Sequence, residues 1–322
     1  MRHRASWLTL LWLAAAVAQG APATSQAIVQ SGDNLSLQNV PTPQPAAGQV
    51  RIRVYAAAIN PVDWKRRAHV PGFDVAGVID SVGPGVTAWK AGDAVFALAN
   101  GAYAEYTLAS AENVVAKPKT FTFEDAAAIP IAGVAAYRAV EQAQVAAGQR
   151  VVIIGAAGGV GSFAVQLAKA RGATVVAVGH SSQRAFLMKL GADEFVAYDK
   201  DDVGARVGKV DAALNLVDGQ ASAALGYVKR GGHLASIAGD PGSSQCAAAG
   251  VTCVIIAGGN GAISYPQGMR AMARLAAQGK YASQVTRTFP LAQAAKAQAA
   301  VHDHDAIGKI VLLVDATRAK QR

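Results

Sequence analysis

Cysteine is nearly absent. Two occur in 322 residues, Cys246 and Cys253. That is too few for a disulfide scaffold or a four-thiolate zinc site, and the pair reads as small buried residues more than as a bridge. Charge is also scarce, at 16% of residues against 52% hydrophobic, which excludes a disordered chain and supplies a large core. No internal segment approaches the roughly 20 apolar residues of a membrane span. Arginine-rich runs with interleaved aromatics are missing. The net charge of +9 is scattered apart from Arg2, Arg4 and the closing "RAKQR", so no nucleic-acid partner is expected. The six histidines show neither triad nor metal spacing, and "HDHD" at 302–305 reads as a surface turn.

The first segment, "MRHRASWLTLLWLAAAVAQGA", has a basic start, an apolar stretch and an Ala16-x-Ala18 pattern. That is the layout of an export signal. It implies a periplasmic or secreted protein. The competing reading is a mis-assigned start ahead of a cytoplasmic one. From residue 27 to about 118 short alternating segments broken by glycine turns ("AIVQ", "LSLQNVP", "VRIRVYAAAI", "FDVAGVIDSV", "AGDAVFAL", "AYAEYTLAS") predict a small β-barrel. "FEDAAAIPIAGVAAYRAVEQAQV" then reads as one helical stretch. From 151 onward wholly apolar strands alternate with helices, which predicts a parallel sheet covered on both faces. A helix from about Pro266 to Gln278 follows, and the closing strand "GKIVLLVD" is expected to rejoin the first domain.

"VVIIGAAGGVG" runs a buried strand into a turn holding Gly155, Ala156, Ala157, Gly158, Gly159 and Gly161. Val160, Phe163, Ala164, Leu167 and Ala168 then repeat as one helical face, and Gly172 stops the helix. Helix N-terminal N–H groups lack internal partners and carry partial positive charge, so the turn suits a pyrophosphate. Gly158 and Gly159 allow a close approach, and Gly161 allows tight helix–sheet packing. An NAD site usually places Asp or Glu at the end of the second strand; here "GHSSQR" supplies Ser181, Ser182 and Arg184, with no carboxylate to repel a 2′-phosphate. The expected cofactor is NADP(H).

Taken together, "AAAINPVDWKRR", "PGFDVAGVIDSVGPGVTAWKAGDAVFAL", "GAYAEYTLAS", the glycine turn, "LGADEFVAYD" and "GKIVLLV" make the chain similar to a known family. It resembles the zinc-independent medium-chain dehydrogenase/reductases, most of all the NADPH:quinone oxidoreductase (zeta-crystallin-like) group. The resemblance runs over about residues 26–314. It implies an α/β protein with a GroES-like β-barrel domain and a Rossmann doubly wound parallel sheet domain. The expected division is 1–24 leader or extension, 25–120 catalytic domain, 121–265 NADP-binding domain, and 266–322 connecting helix and return. It also implies residue roles: Asn60 near the nicotinamide, Ala157, Gly158, Gly159, Val160 and Gly161 at the pyrophosphate, Ser181, Ser182, Arg184 and Tyr198 around the 2′-phosphate, and Lys309 reaching the cofactor from the barrel. A homodimer is compatible with the family.

Zinc members of the superfamily carry Cys and His ligands in the barrel. This chain has Phe73 and Asp74 at the matching stretch and no cysteine before residue 246, so no catalytic metal is expected. Two departures stand out. The loop "RRAHV" before "PGFD" is short, and Ala135 replaces a family threonine. Without a Lewis acid the expected acceptor is an easy one, a quinone or an α,β-unsaturated carbonyl compound. Lys65 is a candidate for stabilising charge on a carbonyl oxygen, beside Asn60; no general acid is apparent. Two other readings keep the fold: an enoyl or alkenal reductase, and an NADPH-binding structural or RNA-interacting protein of crystallin type with little turnover.

Overall fold

The computed structural model describes residues 21–66, 68–256, 262–302 and 306–322. The apolar opening segment, and all of "HDHD" after His302, lie outside the described residues.

β1 (Thr24–Ser31) and β2 (Asn34–Pro41) pair as an antiparallel ribbon. β3 (Gln49–Ala58), a short helix α1 (Val62–Lys65), β4 (Asp74–Val82), β5 (Ala94–Leu98), β6 (Tyr106–Ser110) and β7 (Val114–Ala116) follow. The chain then crosses through α2 (Phe123–Ala127) and α3 (Val134–Gln142). These two do not form the single helix the sequence suggests. Pro130 has no N–H to donate and its ring crowds the preceding turn, and residues 129–133 widen into a π-type turn between them.

Next comes the alternating unit: β8 (Arg150–Ile154), α4 (Gly159–Ala170), β9 (Thr174–Gly179), α5 (Arg184–Lys189), β10 (Glu194–Ala197), α6 (Val203–Val207), β11 (Val210–Asn215), α7 (Ala221–Tyr227), β12 (Val228–Ser236), α8 (Ser243–Ala249) and β13 (Thr252–Ile255). α9 (Tyr265–Ala277), β14 (Val285–Pro290), α10 (Ala294–Ala299), β15 (Lys309–Leu313) and α11 (Ala316–Ala319) complete it.

The six strands β8–β13 form one parallel sheet in the order β10-β9-β8-β11-β12-β13. The order reverses between β8 and β11, which opens a crevice at the carboxyl ends of those strands. Both faces are covered, which is why the strands read as unbroken apolar runs. Val151, Ile153, Val175 and Ala177 pack with Phe163, Ala164 and Leu167 of α4. The alternate residues Val152, Ile154, Val176 and Val178 pack with Leu225 and Cys246 on the other side. Phe163 is fully buried, and truncating such a ring costs about 3–5 kcal/mol.

The second sheet runs β14-β15-β3-β4-β5-β7, with β6 also on β3. β15 pairs antiparallel with β3, so the chain's last strand does close the barrel begun by its first hundred residues. The cysteines correct the sequence reading. α8 ends at Gly250 in the left-handed region and the chain turns straight into β13, bringing the two Cα atoms to 6.1 Å; Cys246 and Cys253 are joined as a disulfide.

Candidate active site

A cleft of about 760 Å³ lies between the two sheets at the crevice of the parallel one. Its Rossmann wall includes Gly155, Gly158–Gly161, Leu216 and Ala238. Its barrel wall includes Asn60, Phe73 and the strand start at Gly308–Ile310.

The glycine turn ends at Gly158, the N-cap of α4, and no side chain caps the helix. Its first-turn residues line the cleft, and among the described residues no side chain caps their amides. A Cβ at Gly158 would meet nothing nearer than Gly155 O at 3.6 Å, so this backbone is open to a ligand. A Cβ at Gly161 would sit 2.3 Å from Gly155 O and 2.5 Å from Ala156 C, so here glycine allows the helix to press on the turn. Ala157 is buried beneath the turn, and Val160 is half-buried along the cleft. At the far end of the crevice, Asn215 Nδ2 donates to Ser236 Oγ (3.0 Å) and Ala238 O (2.6 Å), tying the ends of β11 and β12 together.

The barrel side holds a buried polar network. Lys309, 3% exposed, donates from Nζ to Ile59 O (2.7 Å) and Asn60 Oδ1 (2.6 Å). Asn60 Nδ2 donates to Asp74 Oδ2 (2.9 Å), and the backbone N–H of Asn60 donates to Asp63 Oδ2 (2.8 Å). Tyr103 donates its hydroxyl to the same Asp63 oxygen at 2.6 Å. Gly72 makes that reach feasible, because a Cβ there would lie 2.3 Å from the Tyr103 ring. The π-type turn delivers the Ile131 N–H to Asp74 Oδ1 (3.0 Å), and such turns are frequent at functional sites.

Burial dominates the electrostatics here. It pushes Asp74 up to about 7 against the pull of Lys309, and Asp63 up to about 6 against the hydrogen bond from Tyr103. It pushes Lys309 down, opposed by Asp74 and Asp63. Both ends of the Asn60 amide are committed, so Asn60 acts by position. Lys65 stands apart: it ends α1 as an exposed residue at the cleft's edge. Ala135 lines the cleft with its methyl group, and Phe73 adds an apolar wall.

At the ends of β9 and β10 the sequence reading needs a correction. Ser181 and Ser182 are there, and Tyr198 is 53% exposed beside them with its ring against His180. Arg184 is exposed at the start of α5, its guanidinium 5.6 Å from the Phe195 ring centre. Yet a carboxylate is present. Asp199, just past β10, accepts the Ser181 N–H and hydroxyl, both at 2.7 Å. The usual position at the end of β9 lacks an acid, and the next strand supplies one.

Two further residues were not singled out from sequence. Asp63 looks like part of an N-x-x-D motif, but it is buried and accepts the hydroxyl of Tyr103, forty residues away. Tyr265, the first residue of α9, lines the cleft with its ring 4.4 Å from the Arg138 guanidinium. Burial raises its hydroxyl pKa and Arg138 partly offsets this, so at neutral pH it keeps its proton.

Known proteins match this arrangement in two pieces and as a whole. The model of an alcohol dehydrogenase GroES-like domain matches residues 46–119, and that of a zinc-binding dehydrogenase matches residues 190–312. A 2-methylene-furan-3-one reductase of Solanum lycopersicum is 39% identical over 233 residues, covering 65% of this chain and 60% of the relative. A chloroplastic NADPH-dependent alkenal/one oxidoreductase of Arabidopsis thaliana is 35% identical over 231 residues, covering 64% and 60%. The structure of the quinone oxidoreductase from Coxiella burnetii superposes with a TM-score of 0.81 at 28% identity, covering 90% of this chain and 99% of that one. Fold and crevice thus define an alcohol-dehydrogenase-like protein of two domains. The chain belongs to the medium-chain dehydrogenase/reductase superfamily. Its matches span about 60% of the length of the first two curated relatives.

Proposed function

We propose that this chain is an NADPH-dependent reductase of activated double bonds, acting on an α,β-unsaturated carbonyl compound or a quinone without zinc. The observation that carries the reading is the open Gly158 backbone at an uncapped helix N-terminus, facing a cleft of about 760 Å³. That is the cradle a dinucleotide's pyrophosphate needs. The relatives named for alkenal/one and furanone reduction favour an enone over a quinone as first choice.

The residues fit the cofactor. Val160 and Gly161 would take the pyrophosphate on their amides, Gly158, whose own N–H donates to Gly155 O at 3.3 Å, would leave it room, and Ser181, Ser182, Arg184 and Tyr198 would surround the adenosine ribose. When bound, NADPH supplies the hydride. The protein's own work is orientation and exclusion of water. Phe73, Leu98, Ile131 and Ile237 give the cleft apolar walls for a flat conjugated acceptor. Tyr265, a protonated hydroxyl on the cleft wall, is the candidate to give a proton to the enolate's α-carbon or oxygen, or to a quinone oxygen, and to regain it from water. Lys65 and Arg66 at the edge would favour developing negative charge on the carbonyl oxygen.

The residues do not fit zinc. Phe73 offers no donor, Asn60 Oδ1 is taken by the Lys309 ammonium at 2.6 Å, and a second cation there would meet a like charge. The Cys246–Cys253 disulfide favours an oxidising compartment and so agrees with an exported protein. The test is NADPH oxidation by the purified chain against a panel of enones and 1,2-naphthoquinone, with Tyr265→Phe alongside. Turnover is expected, with kcat lowered in the variant and NADPH affinity kept. A chain that binds NADPH yet reduces nothing in the panel is a binding protein, and the enzyme reading fails.

A further inference from the structure

The surface at the ends of β9 and β10 holds more than the cationic and hydroxyl groups that suit a 2′-phosphate. Ser181 offers two donors, its N–H and its hydroxyl. Asp199 occupies both, at 2.7 Å each, one on each carboxylate oxygen. His180 stands on the other side of this carboxylate, with Nε2 3.5 Å from Asp199 Oδ2. Its Nδ1 accepts the Ser182 N–H at 3.3 Å and contacts Ser182 Oγ at 2.9 Å. A neutral ring with Nδ1 accepting carries its proton on Nε2, toward Asp199. The two strand ends are locked together here, since the Tyr198 N–H donates to Gly179 O at 3.0 Å. Asp199 therefore lies beside the place where a ribose must rest if the pyrophosphate rests at Gly158. Burial works against its charge, but the Ser181 hydroxyl and N–H outweigh it and hold the carboxyl below its ordinary range. It is an anion at neutral pH.

On the reading that this crevice binds a dinucleotide, we infer that Asp199 is a coenzyme-discriminating residue: its carboxylate holds the Ser181 donors and opposes a 2′-phosphate, so the preference for NADPH over NADH is weaker than Arg184 and Tyr198 alone would set. Two consequences follow from the chemistry. A 2′-phosphate that bonds to Ser181 must displace Asp199 from it and then tolerate a like charge beside it. A 2′-hydroxyl meets no such conflict and can donate to the carboxylate, as it does to the acid at the end of the second strand in NAD sites. Arg184 and Tyr198 still draw the phosphate in, so the outcome is reduced selectivity, not exclusion.

Calorimetric affinities for NADPH and NADH decide this, measured on the full chain, Asp199→Asn, Asp199→Ser and Asp199→Glu. The native chain is expected to favour NADPH, by less than either neutral variant does. Both neutral variants should raise the NADPH-to-NADH preference by on the order of tenfold, a gain that shrinks as salt is added. Asp199→Glu, which keeps the charge, should stay within about twofold of the native ratio. An unchanged ratio in the neutral variants overturns the inference, as does a glutamate variant that behaves like asparagine. The native chain alone gives a second reading that needs no variant to fold. A preference for 2′-phospho-ADP-ribose over ADP-ribose beyond about a hundredfold overturns the inference too. If the native chain binds neither dinucleotide, the cofactor reading of the cleft falls first. If it binds both and the ratio ignores residue 199, only the role of Asp199 falls.

Discussion

Two glycines one turn apart should separate folding from binding. In Gly161→Ala the new methyl lands 2.3 Å from Gly155 O and 2.5 Å from Ala156 C, both backbone atoms of a turn held on a buried strand. Nothing flexible can yield, so α4 must lift from the sheet. Overpacking of this kind costs about 1–3 kcal/mol. For a chain of this size that lowers Tm by roughly 2–4 °C per kcal/mol. In Gly158→Ala the methyl finds open space, and φ −70°, ψ 180° is a conformation alanine adopts freely. Stability should hold or rise by about 0.4–1 kcal/mol through the unfolded chain. The same methyl stands where a pyrophosphate would approach. Each charge-assisted hydrogen bond it prevents is worth about 1.5–3 kcal/mol, so NADPH affinity should drop at least about tenfold. Thermal unfolding and calorimetric titration of both variants check the pair. Native NADPH affinity in Gly158→Ala, or a native Tm in Gly161→Ala, would refute the assignment of these two glycines.

Three other perturbations bear on the buried network and the disulfide. Lys309→Met removes the cation that faces Asp74 and Asp63, a loss of about 3–5 kcal/mol for a broken buried pair. Protonation relieves the stranded carboxylates, so the loss should be smaller at pH 5 than at pH 8 in urea unfolding. Asp63 binds its proton more tightly folded, at about 6, than unfolded, at 3.8. Its contribution is therefore full below pH 4 and is lost as the pH climbs to about 6, a fall of about 3 kcal/mol that Asp63→Asn should abolish. Cys246 and Cys253 are seven residues apart, so opening their bridge should cost about 2 kcal/mol by loop entropy. Neither lines the cleft, so dithiothreitol should lower Tm and leave NADPH affinity unchanged.

Local rules made most of the fold legible. Period-two alternation marked the barrel strands, and unbroken apolar runs between helical faces marked the parallel sheet. Glycines at turns gave the ends of both. What escaped was whatever depends on partners distant in sequence. Nothing in "FVAYDK" says that Asp199 will reach back 18 residues to Ser181, because that meeting is created by β10 lying beside β9. The break at Pro130 was visible as a proline, but its use was not. The freed Ile131 N–H matters only because Asp74, 57 positions earlier, is buried against it. The disulfide escaped for a different reason. Two cysteines seven apart fit one helix as well as a helix–turn–strand, and Gly250 alone decides between them.

Gly159 faces the barrel, where Gly158 faces open space. Sequence reasoning gave it to the phosphate, along with Gly158 and Gly161. A Cβ at 159 would lie 2.8 Å from Lys309 Cδ and 3.5 Å from Gly308 O, so the space it leaves is filled from the barrel. The lysine stem lies across the first residue of α4 and its ammonium ends on Asn60, 249 positions earlier in the chain. One side chain thus packs on the helix that faces the cleft and fixes the barrel residue on the opposite wall. The consequence is that the "GK" of the last strand and the third glycine of the turn form a single feature. Enlarging residue 159 acts first on Lys309, through it on Asn60 and Asp74, and only then on any phosphate. Gly159→Ala should therefore resemble Lys309→Met in its stability profile with pH, where Gly158→Ala should not.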